Sequence, residues 1–207
     1  LVETDGRGLL GKFVGETAPK TEAKIDSAMG GVLFIDEAYG ISIGHSSGNV
    51  ADEILPALVA EMENHRDDMC VILAGYKEEM ENFIKVNSGL KSRIPHVLEF
   101  PNYTRDELME IFFKMVDGRF EYEDELKDTL QDYIQNIPDS SFQTKEFSNA
   151  RFIRNLYERL WGKAAYRISL SGEEEILLKK EDMLSVIWEE DFQTMVTELE
   201  FQLLPVR

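Results

Sequence analysis

Gly31-Val32-Leu33-Phe34-Ile35-Asp36-Glu37-Ala38 sets a run of apolar residues, without alternation, between a glycine and two adjacent carboxylates. Such a run predicts a parallel strand covered on both faces. A strand of that kind delivers the residues after it to the carboxyl edge of the sheet, where open α/β folds bind their ligands. There Asp36 suits a water-mediated contact to the Mg²⁺ of a nucleotide, and Glu37 suits polarisation of an attacking water. The bland alternative is a strand that ends in an acidic turn.

The flanking sequence extends this α/β pattern. Residues 1–16 are glycine-rich and read as a strand end followed by a loop, and 17–28 reads as a helix opened by Thr17 and Pro19. Residues 40–49 gather Gly44, Ser46, Ser47 and Gly48 and read as a mobile loop. A helix is expected over 50–63, with Pro56 kinking it or marking its first turns. Met69-Cys70-Val71-Ile72-Leu73-Ala74 reads as a second buried strand with Cys70 as a small core residue, then 77–86 as a helix, and Val97-Leu98-Glu99-Phe100 as a short third strand. From Thr104, which forms a capping box with Glu107, helical patterns take over at 104–117, 123–136, 147–167 and 183–203. The last of these docks on the helices before it in its plainest reading.

Composition narrows the function classes. The chain has 207 residues, 43% hydrophobic and 30% charged, which suits a globular protein, and its net charge is −18. That charge disfavours general binding to nucleic acid, and no apolar run is long enough to span a bilayer. The single cysteine cannot form an internal disulfide, which fits a cytoplasmic setting. The acidic runs Glu121-Tyr122-Glu123-Asp124-Glu125, Glu173-Glu174-Glu175 and Glu189-Glu190-Asp191 read as solvated helix faces. His45, His65 and His96 show no metal-ligand spacing.

Phe13-Val14-Gly15-Glu16-Thr17-Ala18-Pro19-Lys20-Thr21, then 25–39 with its carboxylate pair, Ala74-Gly75-Tyr76 and Gly89-Leu90-Lys91-Ser92-Arg93 closely resemble, in this order, one branch of the AAA+ ATPases. That branch contains the red-type Rubisco activase, stage V sporulation protein K and the AAA+ ATPase of type VII secretion. The resemblance runs from about Gly11 to Leu160 and marks 31–38 as a Walker B strand. It implies an α/β fold: a P-loop AAA+ parallel-sheet subdomain, here without its P-loop strand, followed by an all-α lid. The expected division is a partial nucleotide-binding subdomain over 1–101, a helical lid over 102–170 and a helical extension over 171–207.

The resemblance further implies ATP and Mg²⁺ as cofactors and a homo-hexameric ring that pulls an unknown protein substrate through its pore; charge and hydropathy add the expectation of neither nucleic acid nor membrane as a partner. Asp36 and Glu37 become the catalytic carboxylates, with Asp36 holding Mg²⁺ through water. Phe13, Val14 and Gly15 match the pore loop, where an aromatic ring grips peptide by packing; Phe13 could equally pack its own domain. Arg93 matches the arginine finger of a neighbouring subunit, with Lys91 nearby, against the alternative of a surface salt bridge. Asn149-Ala150-Arg151-Phe152-Ile153-Arg154-Asn155 resembles the sensor 2 motif. Arg151 would contact the γ-phosphate of its own subunit, with Arg154 on the same helix face, and either could be a helix-surface cation. At sensor 1 the chain has Ala74-Gly75-Tyr76, where only the Tyr76 hydroxyl could serve.

A P-loop needs G-x-x-x-x-G-K-[ST]. Gly6-Arg7-Gly8-Leu9-Leu10-Gly11-Lys12-Phe13 comes near, but Phe13 has no hydroxyl, Glu3-Thr4-Asp5 is not a buried strand, and the next helix starts too late to cradle phosphate. The expectation is a P-loop and its strand upstream of residue 1, so that the chain by itself is inactive. The competing function is a non-hydrolysing scaffold or protein-interaction module; action on DNA is disfavoured by charge.

Overall fold

Three parallel strands organise the first half of the chain. β1 (Val2–Asp5), β2 (Val32–Asp36) and β3 (Cys70–Leu73) lie in that order, with Val2 opposite Leu33, Asp5 opposite Asp36, Val32 opposite Cys70 and Ile35 opposite Leu73. The structure, a computed structural model, describes residues 1–11, 15–42, 50–86, 88–144, 147–172 and 176–196. It divides into two units, Leu1–Glu99 and Phe100–Arg207.

β2 is the middle strand, and Leu33 and Ile35 are fully buried. α1 (Thr17–Ala28), α2 (Val50–Asn64), α3 (Lys77–Val86) and the short α4 (Ser88–Lys91) supply Ile25, Ala28, Ile54, Leu58, Phe83 and Leu90 to the same core. Gly30 lets the chain leave α1 at φ 71°, and its N–H donates to the Asp68 carbonyl at 2.9 Å. Pro56 sits well inside α2 rather than in its first turn.

Three expectations are corrected in this unit. The strand end expected at the start of the chain is present as β1, which alternates half-buried and exposed positions. A 3-10 turn over Arg7–Leu9 follows it. β3 is not buried on both faces: Cys70 is exposed, and so is Ile72 at 43%. Cys70 is therefore a surface thiol rather than a core residue. Residues 97–100 form no strand; Leu98 is 80% exposed, and among the described residues no strand offers this segment the backbone partners that pairing requires. Of the expected loop at 40–49, residues 43–49 lie outside the described residues.

The second unit is helical. α5 (Arg105–Val116) opens on the expected capping box: Thr104 Oγ1 accepts the Glu107 N–H at 3.2 Å, and Glu107 Oε2 accepts the Thr104 N–H at 2.8 Å. α6 (Asp124–Gln135) and α7 (Ala150–Ser171) pack around Phe112, Leu126, Ile134, Phe152, Leu156 and Leu160. A parallel ladder joins β4 (Glu121–Tyr122), which precedes α6, to β5 (Leu177–Leu178), which follows α7; it is too short for sequence periodicity to reveal.

The helix expected over 183–203 is broken. The structure has α8 (Lys180–Ile187) and α9 (Glu190–Gln193), and 197–203 lies outside the described residues. Glu189 leaves the helical conformation between them at φ −69°, ψ 127°. Salt bridges hold the break in place: Arg159 reaches Glu189 and Asp191, and Lys163 Nζ lies 2.6 Å from Glu189 Oε1. Deeper in, the 4%-exposed Asp182 takes two bonds from Arg167, Nε to Oδ1 at 3.0 Å and a terminal nitrogen to Oδ2 at 3.1 Å, plus the Lys179 N–H at 3.0 Å.

Candidate functional site

The turn after β2 gathers backbone from all three strands. The Asp36 carbonyl accepts the Gly6 N–H at 2.9 Å, and the Ala74 carbonyl, just past β3, accepts the Ala38 N–H at 3.0 Å. Asp36 Oδ1 accepts the Glu37 N–H at 2.9 Å, and among the described residues Oδ2 has no hydrogen-bond partner. Glu37 takes a left-handed conformation, φ 44° and ψ 46°, and its carbonyl accepts the Gly40 N–H at 2.7 Å. A left-handed non-glycine residue is strained, and such strain gathers at sites that act on ligands. Both carboxylates are exposed, and among the described residues neither forms a salt bridge. A strongly hydrated cation held through water suits Asp36, and a carboxylate without a cation partner is free to accept a proton from water.

Two glycines allow this close assembly. A Cβ on Gly6 would meet the Glu37 carbonyl oxygen at 2.6 Å and the Ile41 nitrogen at 2.9 Å. A Cβ on Gly75 would meet the Tyr39 ring at 2.8 Å and Met80 Sδ at 2.9 Å. Tyr39 thus packs directly over Gly75. Burial first, and then the Glu37 and Glu79 carboxylates, push its hydroxyl above the usual tyrosine range, so it stays protonated. The sequence reading overlooked Tyr39, whose one sequence signal is that it follows Glu37 by two positions. Tyr76, the sensor 1 candidate, is 52% exposed, and its carbonyl accepts the first amide of α3's second turn, Met80 N–H, at 2.9 Å.

Four amides of the near match to a P-loop, among its described residues, are already engaged. Gly6 N–H bonds to Asp36, Gly8 N–H to Asp5 Oδ1, Leu10 N–H to the Arg7 carbonyl at 3.0 Å, and Gly11 N–H to Thr17 Oγ1 at 3.0 Å. Phe13 and Val14 lie outside the described residues, while Gly15 is described at φ 87°. The base of that loop is held from α1: Thr17 and Thr21 are fully buried, and Lys20 Nζ donates to the Leu10 carbonyl at 2.9 Å.

Arg93, just past α4, folds back on its own unit. One terminal nitrogen donates to the Gly89 carbonyl at 3.1 Å, and Nε lies 3.4 Å from Glu63 Oε2, within ion-pair range but without hydrogen-bond geometry. Lys91 is exposed. In the second unit Arg151 and Arg154 are exposed in the first turns of α7, and among the described residues neither pairs with a carboxylate. The structure therefore brings Asp36 and Glu37 together with Gly6, Tyr39 and Gly75 in one unit and sets Arg151 and Arg154 in the other.

Comparison with known proteins agrees with this two-part organisation. A family model described as the ATPase family associated with various cellular activities (AAA) matches residues 1–102, and one described as the AAA lid domain matches 104–201. The chain is 40% identical over 179 residues to the CfxQ homolog of Pyropia yezoensis, covering 86% of this chain and 58% of that protein. It is 36% identical over 187 residues to stage V sporulation protein K of Bacillus subtilis (strain 168), covering 90% and 56%. With protein CbbX of Cereibacter sphaeroides the identity is 42% over 172 residues, covering 81% and 53%. The chain spans a little over half the length of these curated relatives.

Proposed function

This chain belongs to the AAA+ ATPase family and carries its lid domain, and from that premise we propose that it is the Walker B, arginine-finger and lid portion of an ATP-hydrolysing protein remodeller. One observation carries the proposal: two exposed carboxylates, Asp36 and the strained Glu37, without cation partners among the described residues, at the carboxyl edge of a parallel sheet.

In this reading Asp36, whose Oδ1 is bonded to the Glu37 N–H, would hold the hydrated Mg²⁺ of ATP through water. Glu37 orients and deprotonates the attacking water. The metal would neutralise charge on the phosphates when bound. Arg93 acts in trans as the arginine finger of a homo-hexamer, which requires it to exchange Glu63 for a neighbour's phosphate. Arg151, with Arg154, senses the γ-phosphate from the lid. Phe13, Val14 and Gly15 grip a protein substrate in a central pore; the supporting features are the base anchored by Thr17, Lys20 and Thr21 and the left-handed Gly15.

The functional division follows as a partial nucleotide-binding part over 1–101, the lid over 102–170 and the extension over 171–207. The reading also includes a phosphate-binding loop and strand upstream of residue 1, without which the chain is inactive. Support comes from the bare face of β3 at Cys70 and Ile72 and from the unpaired apolar segment at Val97 and Leu98, surfaces that a further strand would cover. A cytoplasmic, membrane-free setting belongs to the same reading; no helix among the described residues is long and apolar enough to cross a membrane.

The test is Glu37→Gln in protein expressed from its whole coding sequence. ATP binding should persist while turnover falls by at least about 10²-fold, the usual contribution of a positioned base. Full turnover in the variant refutes the assignment of Glu37. No turnover in the intact protein, together with protein binding that is indifferent to nucleotide, favours the scaffold instead.

A further inference from the structure

Asn149 immediately precedes α7, yet its side chain does not cap that helix. Its carbonyl accepts the Ile153 N–H at 3.2 Å, as an N-cap carbonyl does, while its carboxamide makes no bond to α7. Asn in this position ordinarily uses its side chain to satisfy the helix's own free amides. Here Oδ1 accepts the Tyr103 N–H at 3.0 Å and Nδ2 donates to Asn102 Oδ1 at 2.9 Å. Asn102 in turn donates through Nδ2 to the Phe142 carbonyl.

The backbone of Asn149 sits at φ 49° and ψ −117°, a region open to glycine and costly for other residues. Among the described residues only Glu37 and Asn149 are non-glycine with positive φ. A forgone cap and a strained backbone thus fall on one residue, two positions before Arg151. What they secure is a set of bonds to the segment by which the chain enters this unit, just before the Thr104–Glu107 capping box starts α5. Strain that the surroundings hold in place is characteristic of sites where position matters to function.

We infer that Asn149 is a positioning residue that joins the first turn of α7 to the entering segment at Asn102 and Tyr103, so that a shift of Arg151 on meeting a nucleotide triphosphate is passed to that segment. This rests on the reading of Arg151 as a γ-phosphate contact. Arg151 and Arg154 stand on the turn that moves, Asn149 is the link, and the receiver is the Tyr103 N–H, whose acceptor is the Asn149 side chain. Backbone amides report the opening of their own hydrogen bonds, so the receiving end can be observed directly.

The experiment is amide hydrogen exchange on protein expressed from its whole coding sequence, with and without Mg²⁺-ATP, in Glu37→Gln background to keep the triphosphate intact. The parent, Asn149→Gly and Asn149→Asp are compared. Glycine accepts the backbone conformation and removes both side-chain bonds; aspartate keeps the acceptor for Tyr103. In the parent, ATP should change exchange at 151–153 and at Tyr103 by about tenfold each, the scale of one hydrogen bond gained or lost. In Asn149→Gly the response at 151–153 should persist and that at Tyr103 vanish, and Asn149→Asp should restore it. A Tyr103 response surviving in Asn149→Gly, or absent in the parent while 151–153 responds, overturns the link alone. No response at 151–153 in the parent overturns the sensor reading of Arg151 and the link with it.

Discussion

Gly6→Ala should disable the carboxylate site without touching either carboxylate. The added Cβ would stand 2.6 Å from the Glu37 carbonyl oxygen, 2.9 Å from the Ile41 nitrogen and 3.0 Å from the Ala38 carbonyl oxygen, all backbone atoms of the turn that carries Glu37. Ordinary contact begins near 3.4 Å, so the turn or the end of β1 must retreat by about 0.8 Å. The Gly6 N–H to Asp36 bond and the Ala38 N–H to Ala74 bond resist that movement from opposite sides. A misplacement approaching 1 Å costs on the order of 10²-fold in rate, so a loss of about 30- to 100-fold in kcat is expected. Overpacking should add a stability loss of about 1–3 kcal/mol. Phosphate release from ATP is measured on protein expressed from its whole coding sequence, at a temperature where circular dichroism shows the variant folded. Gly162→Ala is the control: Gly162 lies inside α7, a Cβ there meets nothing within 4 Å, and activity should be unchanged. A folded Gly6→Ala protein with kcat within about threefold of the parent would refute the idea that turn placement at this scale governs the site.

Three further outcomes follow from the structure. Arg167→Met removes both guanidinium bonds from the buried Asp182 carboxylate, which keeps the Lys179 N–H, so the urea transition of the second unit, followed by Trp161 and Trp188 fluorescence, should lose about 3–5 kcal/mol; a loss below about 1 kcal/mol would show the pair to be dispensable. Glu189 is held below the usual carboxylate range by Lys163 and then Arg159, and Asp191 by Arg159. Their stabilisation is therefore present above the unfolded carboxylate pKa near 4 and lost as pH falls through the lower folded values. The parent should lose more stability between about pH 5 and pH 3 than Arg159→Met does, and parallel pH profiles would count against this network. Cys70 of the 207-residue chain should react freely with a thiol reagent under native conditions and slow markedly in protein carrying the upstream sequence; equal rates in the two would argue against an upstream strand on β3.

Much of the fold was legible because its determinants are local. The apolar run at 32–35, the Thr17 start, the Thr104–Glu107 box and the helical stripe over 124–135 each state their structure within a few residues. What misled was sequence whose outcome depends on a distant partner. Val97-Leu98-Glu99-Phe100 has the composition of a strand, but a strand also needs a neighbour to bond to, and among the described residues this exposed segment has none. Cys70 and Ile72 read as core for the same reason: apolarity says what a residue favours, not whether anything comes to cover it. The helix over 183–203 breaks at Glu189 because Arg159 and Lys163, a helix away, bind the residues at the break.

The sequence by itself determined that an acidic pair follows a parallel strand and that a helical unit follows the α/β unit, since periodicity and adjacency are written along the chain. Only the tertiary structure decided that Glu37 is strained, that Gly6 and Gly75 are needed for close approach, that Tyr39 packs over Gly75, and that Asn149 turns from its own helix to Asn102 and Tyr103. Each of these joins residues between 31 and 47 positions apart, or depends on a backbone angle, and neither leaves a pattern in a linear sequence.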